Sequence, residues 1–106
     1  MTAGTPVLDT LADINLASIE HTHLAARELM LARIAALVAV DAPPASYLAN
    51  LGSAADAGLT EEDVADTLIA VAPLVGTAKV VAAGGNIMRA LGFAIAVAGD
   101  ESSPYA

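Results

Sequence analysis

Few side chains in this chain could take part in chemistry, and they fall into three groups. His21 and His23 stand in the stretch Glu-His-Thr-His, Glu28 and Arg33 follow within the next apolar run, and Ser46, Tyr47 and Asn50 come after the double proline Pro43-Pro44. A histidine held beside a carboxylate supplies general acid–base catalysis near neutral pH, so His21 or His23 with Glu28 is the candidate catalytic set. As metal ligands the two histidines are badly spaced, because residues two apart point to different sides of a helix. No metal is expected, and ordinary exposed connector histidines are the better account of them. Glu28 and Arg33, if buried, need partners and form either an internal ion pair or part of a pocket. Ser46, Tyr47, Asn50 and Arg33 are the candidate ligand-pocket residues, able to orient a substrate by hydrogen bonding, with Lys79 and Arg89 as anion anchors. The chain has no cysteine, which removes thiolate nucleophiles, thiolate metal sites and disulfides together.

The elements that must hold these residues are all helical. Thr5-Pro6 reads as a cap followed by proline at the first helical position, opening a helix over residues 6–19. Glu20 to His23 form the connection to a second helix over residues 24–40, whose second half has no polar side chain and is expected to be buried all round. Asp41 to Pro44 end it, Pro43 by disfavouring helical geometry at Ala42, and Pro44 opens a third helix to Asp56, with Gly58 as its stop. Thr60-Glu61-Glu62-Asp63 starts a fourth, with a threonine cap and acids at the positive end of the helix dipole. Val64, Leu68 and Val71 face inward on it, with Glu62, Asp63, Asp66 and Thr67 outward. Pro73 kinks or ends this helix, a further helical stretch stops at Gly84-Gly85, and a last helix begins near Asn86. Residues 93–98 alternate large and small as a strand would, but a lone strand has nothing to pair with, so helix is expected there. Residues 1–98 form one domain and residues 99–106 a loose acidic tail. The fold class is all-α, a compact bundle of five to six helices.

Hydrophobic residues make up 57% of the 106 and aromatic residues 3%, so the helices pack on alanine and bury little area per residue. Such a thin core gains more from neighbouring subunits than most domains do, and a homo-oligomer is expected. Twelve carboxylates against four lysines and arginines, a net charge of −8, exclude a phosphate-tracking nucleic-acid binder. Mean hydropathy is +0.67, yet the longest apolar run carries Arg27, Glu28 and Arg33. With no basic leader and cleavage site at the start, a cytoplasmic, membrane-free protein is expected.

Arg27-Glu28-Leu29, the apolar run, the helix of Pro44–Asp56 and Gly58-Leu59-Thr60-Glu61-Glu62-Asp63 together resemble the carboxymuconolactone decarboxylase and alkylhydroperoxidase D-like family over about residues 24–92. The resemblance implies an all-α fold of that type and assembly as a homotrimer or hexamer. In the peroxidase branch a Cys-x-x-Cys opens the short helix, a histidine follows, and a glutamate on the preceding helix completes a proton relay. The matching positions here hold Pro43, Ser46 and Asn50, and Glu28 lies about a turn too early for the acid. Serine cannot replace a thiol in a disulfide cycle, so thiol peroxidase activity is not expected. The decarboxylase branch uses histidines at positions matching Asn50 and Ala70, neither of which can act as acid or base at neutral pH. Three readings stand: a non-catalytic oligomeric accessory protein; a changed pocket that binds or acts on a small acidic or lactone-like metabolite; and an enzyme that brings His21 or His23 to Glu28 or Arg33 across a subunit boundary. None calls for a cofactor.

Overall fold

The computed structural model describes residues 5–102, which form five helices and, within that span, no strand: α1 (Thr5–His21), α2 (Ala26–Ala39), α3 (Pro44–Asp56), α4 (Glu61–Val75) and α5 (Thr77–Ser102). α2 is central, packed on α3, α4 and α5, while α5 also crosses α3 and α4. α1 packs on none of the four.

Helix ends follow from local chemistry. α2 closes in a Schellman arrangement: Asp41 N–H donates to Val38 O at 3.2 Å, and Ala42 N–H donates to Leu37 O at 3.0 Å. Asp41 takes the left-handed conformation there, with φ 56°, a geometry that a short polar side chain tolerates. Ala42 turns back into the core beside Val38, so this helix is finished before the prolines are reached. Pro44 then occupies the first turn of α3, where a missing N–H is harmless. α3 ends by the same device, with Gly58 at φ 84°, its N–H on Ala55 O, and Leu59 N–H on Ala54 O, both at 3.0 Å. Leu59 packs against buried Ala54, the apolar contact that completes the motif.

α4 begins as its residues dictate. Thr60 Oγ1 accepts from Asp63 N–H at 3.2 Å and Asp63 Oδ2 accepts from Thr60 N–H at 2.8 Å, a reciprocal capping box. Arg27 of α2 locks onto the same carboxylate with two bonds, at 2.9 and 2.5 Å, and reaches Gly58 O at 3.5 Å. Arg27 first and the Thr60 backbone second hold the Asp63 carboxyl far below its ordinary range. The folded value is depressed, so the stabilisation is complete above about pH 4, the ordinary carboxylate region, and is lost as pH falls below it. Asp63→Asn is therefore expected to flatten the decline of stability between about pH 4 and pH 2, read by urea unfolding across pH. An unchanged acid limb would show that another carboxylate governs it.

Several expectations are corrected by the fold. Glu20 and His21 continue α1 instead of leaving it. Thr67 is buried, not outward, with its hydroxyl donating to Asp63 O at 2.8 Å, so it enters the core with its polar group satisfied on its own helix. Pro73 lies inside α4, which runs on to Val75 and is closed by Gly76 at φ 89°. Gly84-Gly85 stops nothing: α5 passes through both, because packing on α2, α3 and α4 outweighs a propensity penalty of roughly 1 kcal/mol per glycine. The backbone of residues 93–98 is helical, as is that of 99–102 within the expected tail, while 103–106 lie outside the described residues. Nor is α2 buried all round; Met30, Ile34 and Val38 form its inner stripe, whereas Val40 is exposed.

The core is thin. Val38, Ala42, Tyr47, Ala83, Ile87 and Ala90 form one buried cluster and Met30, Ile34 and Ala54 a second, with Val64 packed against both. α1 contributes no buried residue. Val7, Leu8, Leu11, Ile14, Leu16 and Ile19 stay 46–66% exposed, and covering each would stabilise by on the order of 1 kcal/mol. The radius of gyration, 15.2 Å, exceeds the roughly 13 Å of a compact chain this long because α1 stands clear of the body.

Candidate functional site

The family-like position after Pro43-Pro44 is built on α3 and closed by α2, α4 and α5. Tyr47 and Asn50 are one turn apart on α3 and both line a cavity of about 20 Å³, completed by Ile34, Leu37, Leu51, Ala54, Val64 and Ile87. That volume admits about one water molecule and no metabolite. Tyr47 is 3% exposed and, among the described residues, its hydroxyl has no hydrogen-bond partner. Burial, and behind it the negative charge of Asp41, pushes this phenol above its ordinary pKa, so it stays a neutral hydroxyl through physiological pH. Asn50 spends its amide on its own helix, donating to Ser46 O at 2.9 Å. Ser46 does not line the cavity.

The other candidates lie elsewhere and have structural occupations. Glu28 is exposed and its Oε1 accepts from Ala25 N–H at 3.1 Å, capping a helix whose Ala25 has no side-chain oxygen of its own. Arg33 faces α1, donating to Asn15 Oδ1 and, at 3.2 Å, to Ser18 Oγ. It is not at the Tyr47 cavity, and the expected pocket of Arg33, Ser46, Tyr47 and Asn50 is not assembled within one subunit. His21 and His23 are exposed at the α1–α2 junction. Among the described residues no group of three or more His, Cys, Asp or Glu is placed to hold a metal ion.

Lys79, an expected anion anchor, instead donates to Ala39 O at 3.0 Å, neutralising the carbonyl end of α2. Asn86 also donates to Ala42 O, at 3.1 Å, so α5 ties down the α2–α3 corner twice. Sequence reading gave Asn86 no role, and no spacing signal marks a side chain that serves a distant carbonyl. Arg89 differs from the other cations. It donates to Asn86 Oδ1 at 3.1 Å and, among the described residues, forms no ion pair. It borders an open cleft of about 380 Å³ with Pro44, Ala45, Leu48 and Ala90.

An all-helical frame of this kind, with α3 packed on α2 and α5, fits an alkylhydroperoxidase D-like fold. The carboxymuconolactone decarboxylase family profile matches residues 5–85, most of the chain including α1, and the protein belongs to that family. No curated protein and no solved structure matches it. Among the described residues no helix is long and apolar enough to cross a membrane.

Proposed function

We propose that this family member is a cytoplasmic homo-oligomeric accessory or structural protein, a trimer or hexamer, that keeps the helical frame without thiol or acid–base chemistry. The observation that carries the reading is the filling of the α3 position. Isoleucine, leucine and valine side chains occupy the space where a substrate would sit, and what remains is about 20 Å³. The groups there are a neutral phenol and an amide already bonded within its helix, and neither moves a proton at pH 7. The absence of cysteine from the whole sequence removes the disulfide cycle independently. Solvent-exposed His21 and His23, with Glu28 engaged as a cap, leave the acid–base alternative without a pocket in one subunit.

The test is native mass spectrometry of the purified protein together with assays for carboxymuconolactone decarboxylation and thiol-dependent peroxide reduction. A ligand-free oligomer with rates equal to the uncatalysed reactions is expected. Turnover in either assay, or a retained metabolite, would sink the accessory reading.

One feature favours a second reading, binding of a small acidic metabolite. The Arg89 cleft has the volume of an ordinary ligand site and a cation that, among the described residues, pairs with no carboxylate. Calorimetric titration with a dicarboxylate, lost in Arg89→Ala, would support that reading, and no heat would remove it.

A further inference from the structure

We infer that α1 of one copy docks along the outer face of α5 of another. The inference rests on the homo-oligomeric reading and specifies the surfaces that make the assembly.

Helix α1 has a requirement that its own subunit does not meet. Isolated helices of about this length are marginal in water, and α1 packs on none of the other helices. Val7, Leu8, Leu11 and Ile14 lie along one side of it at helical spacing, all more than half exposed. Asp9, Asp13 and Glu20 fall on the opposite side, so the ridge itself carries no charge. Arg33 reaches Asn15 and Ser18, one turn beyond Leu11 and Ile14 on this same side, so α2 tethers the C-terminal end of the face while Val7 to Ile14 stay exposed.

The same chain carries a matching surface that is also unclaimed. Val81, Gly85, Met88 and Gly92 are spaced i, i+4, i+7 and i+11 along one face of α5. Val81 and Met88 are each 69% exposed. A Cβ added at Gly92 would meet nothing within 4 Å, and one at Gly85 only the subunit's own Arg89 side chain. Among the described residues, packing within the subunit therefore gives no reason for glycine at either place, although each weakens the helix. Gly85 between Val81 and Met88, and Gly92 one turn beyond, leave a shallow, carboxylate-free trough bordered by the Arg89 side chain, into which a ridge of branched side chains can pack.

Length and charge both fit. α1 is roughly 25 Å long and residues 77–92 of α5 roughly 24 Å, at 1.5 Å per residue. With a net charge of −8, contact between two copies costs least where acids are absent. The ridge and the trough are two such places. Because the two surfaces differ, each copy donates one α1 and receives one, giving a reciprocal pair or a closed ring.

The experiment uses full-length protein in sedimentation velocity and light scattering, with circular dichroism to follow the fold. One variant carries Leu11→Asp and Ile14→Asp; the other carries Met88→Glu, with Val81→Glu as a second version should the first lose helicity. Self-association is expected to weaken by at least roughly 100-fold in each variant, the helical signal and a cooperative unfolding transition being kept. Mixing the two variants restores one intact ridge–trough contact, and a 1:1 complex is expected. If the wild type is oligomeric and the variants remain so, another face makes the assembly; this inference fails and the homo-oligomeric reading survives. Variants that dissociate but do not form the mixed complex also overturn the pairing. A monomeric wild type overturns both, and if that monomer binds phosphatidylcholine vesicles the ridge belongs to a lipid surface.

Discussion

Ile34→Ala is expected to destabilise the folded chain by roughly 2–5 kcal/mol, the cost of deleting a buried branched side chain that its neighbours cannot replace. Ile34 is 5% exposed, packs with Met30 and Ala54, and also lines the cavity beside Tyr47. Collapse around the deletion is hindered for a particular reason. The void of about 20 Å³ is already bounded by Leu37, Leu51, Val64 and Ile87, which come from four different helices. No single helix shift can close both spaces, so the deletion enlarges the existing void. A fall in Tm of roughly 10–25 °C follows for a domain of this size, measured by thermal circular dichroism at fixed protein concentration, because assembly would make Tm concentration-dependent. A fall of only one or two degrees would mean that Ile34 is not packed as placed.

Ala90→Leu is expected to destabilise by about 1–3 kcal/mol from the opposite cause, overpacking. Ala90 is 1% exposed and stands two turns from Ala83, with both alanines in the cluster of Val38, Tyr47 and Ile87. The small side chains let α5 lie close to its neighbours, and a leucine would have to push the helix outward. That movement would also strain the bonds from Lys79 to Ala39 O and from Asn86 to Ala42 O, which run from the same helix. Ala70→Leu, at an exposed position on α4 away from the proposed docking face, serves as control and should change stability by no more than about 0.5 kcal/mol. Urea midpoints for the three proteins decide it. If both leucines have the same effect, helix propensity and not packing governs the result.

Those two substitutions also mark where sequence reading reaches its limit. The helix starts were legible, since Pro44 and Thr60 to Asp63 act through their nearest neighbours and the fold uses them in that way. So was the stop at Gly58, whose positive φ a glycine accepts freely. Asp41 was not, because it ends a helix in a conformation usually given to glycine while two prolines just beyond draw attention away. Gly84 and Gly85 misled in the other direction: local propensity is a weak term, and contacts with three helices override it. Thr67 read as a surface residue, since the pattern does not reveal that a hydroxyl can satisfy itself on the preceding turn.

For the candidate site the limit has a different origin. Ser46, Tyr47 and Asn50 were found by position along the helix, and two of them do share a cavity. The size of that cavity is a property of side chains from α2, α4 and α5, and no local pattern encodes it. Glu28, Arg33 and Lys79 were candidates because a charge in an apolar stretch invites a role. Their roles are a cap, a tether and a helix-end counter-charge, each depending on an atom that only the fold brings near. The amphipathic spacing of α1 was plain, yet the pattern is silent on what covers it.

The unpartnered hydroxyl of Tyr47 makes the chain its own optical reporter. The sequence contains no tryptophan and two tyrosines, so the near-ultraviolet signal comes almost wholly from Tyr47 and Tyr105. Packed on α3 against α2 and α5, the Tyr47 ring senses an asymmetric, largely apolar surrounding, and its absorption and circular dichroism should change in the step that opens the core. Because burial holds the phenol neutral, titration with base would register it above the ordinary phenol range. Core opening can therefore be followed in unmodified protein through Tyr47, separately from any dissociation of subunits seen by light scattering.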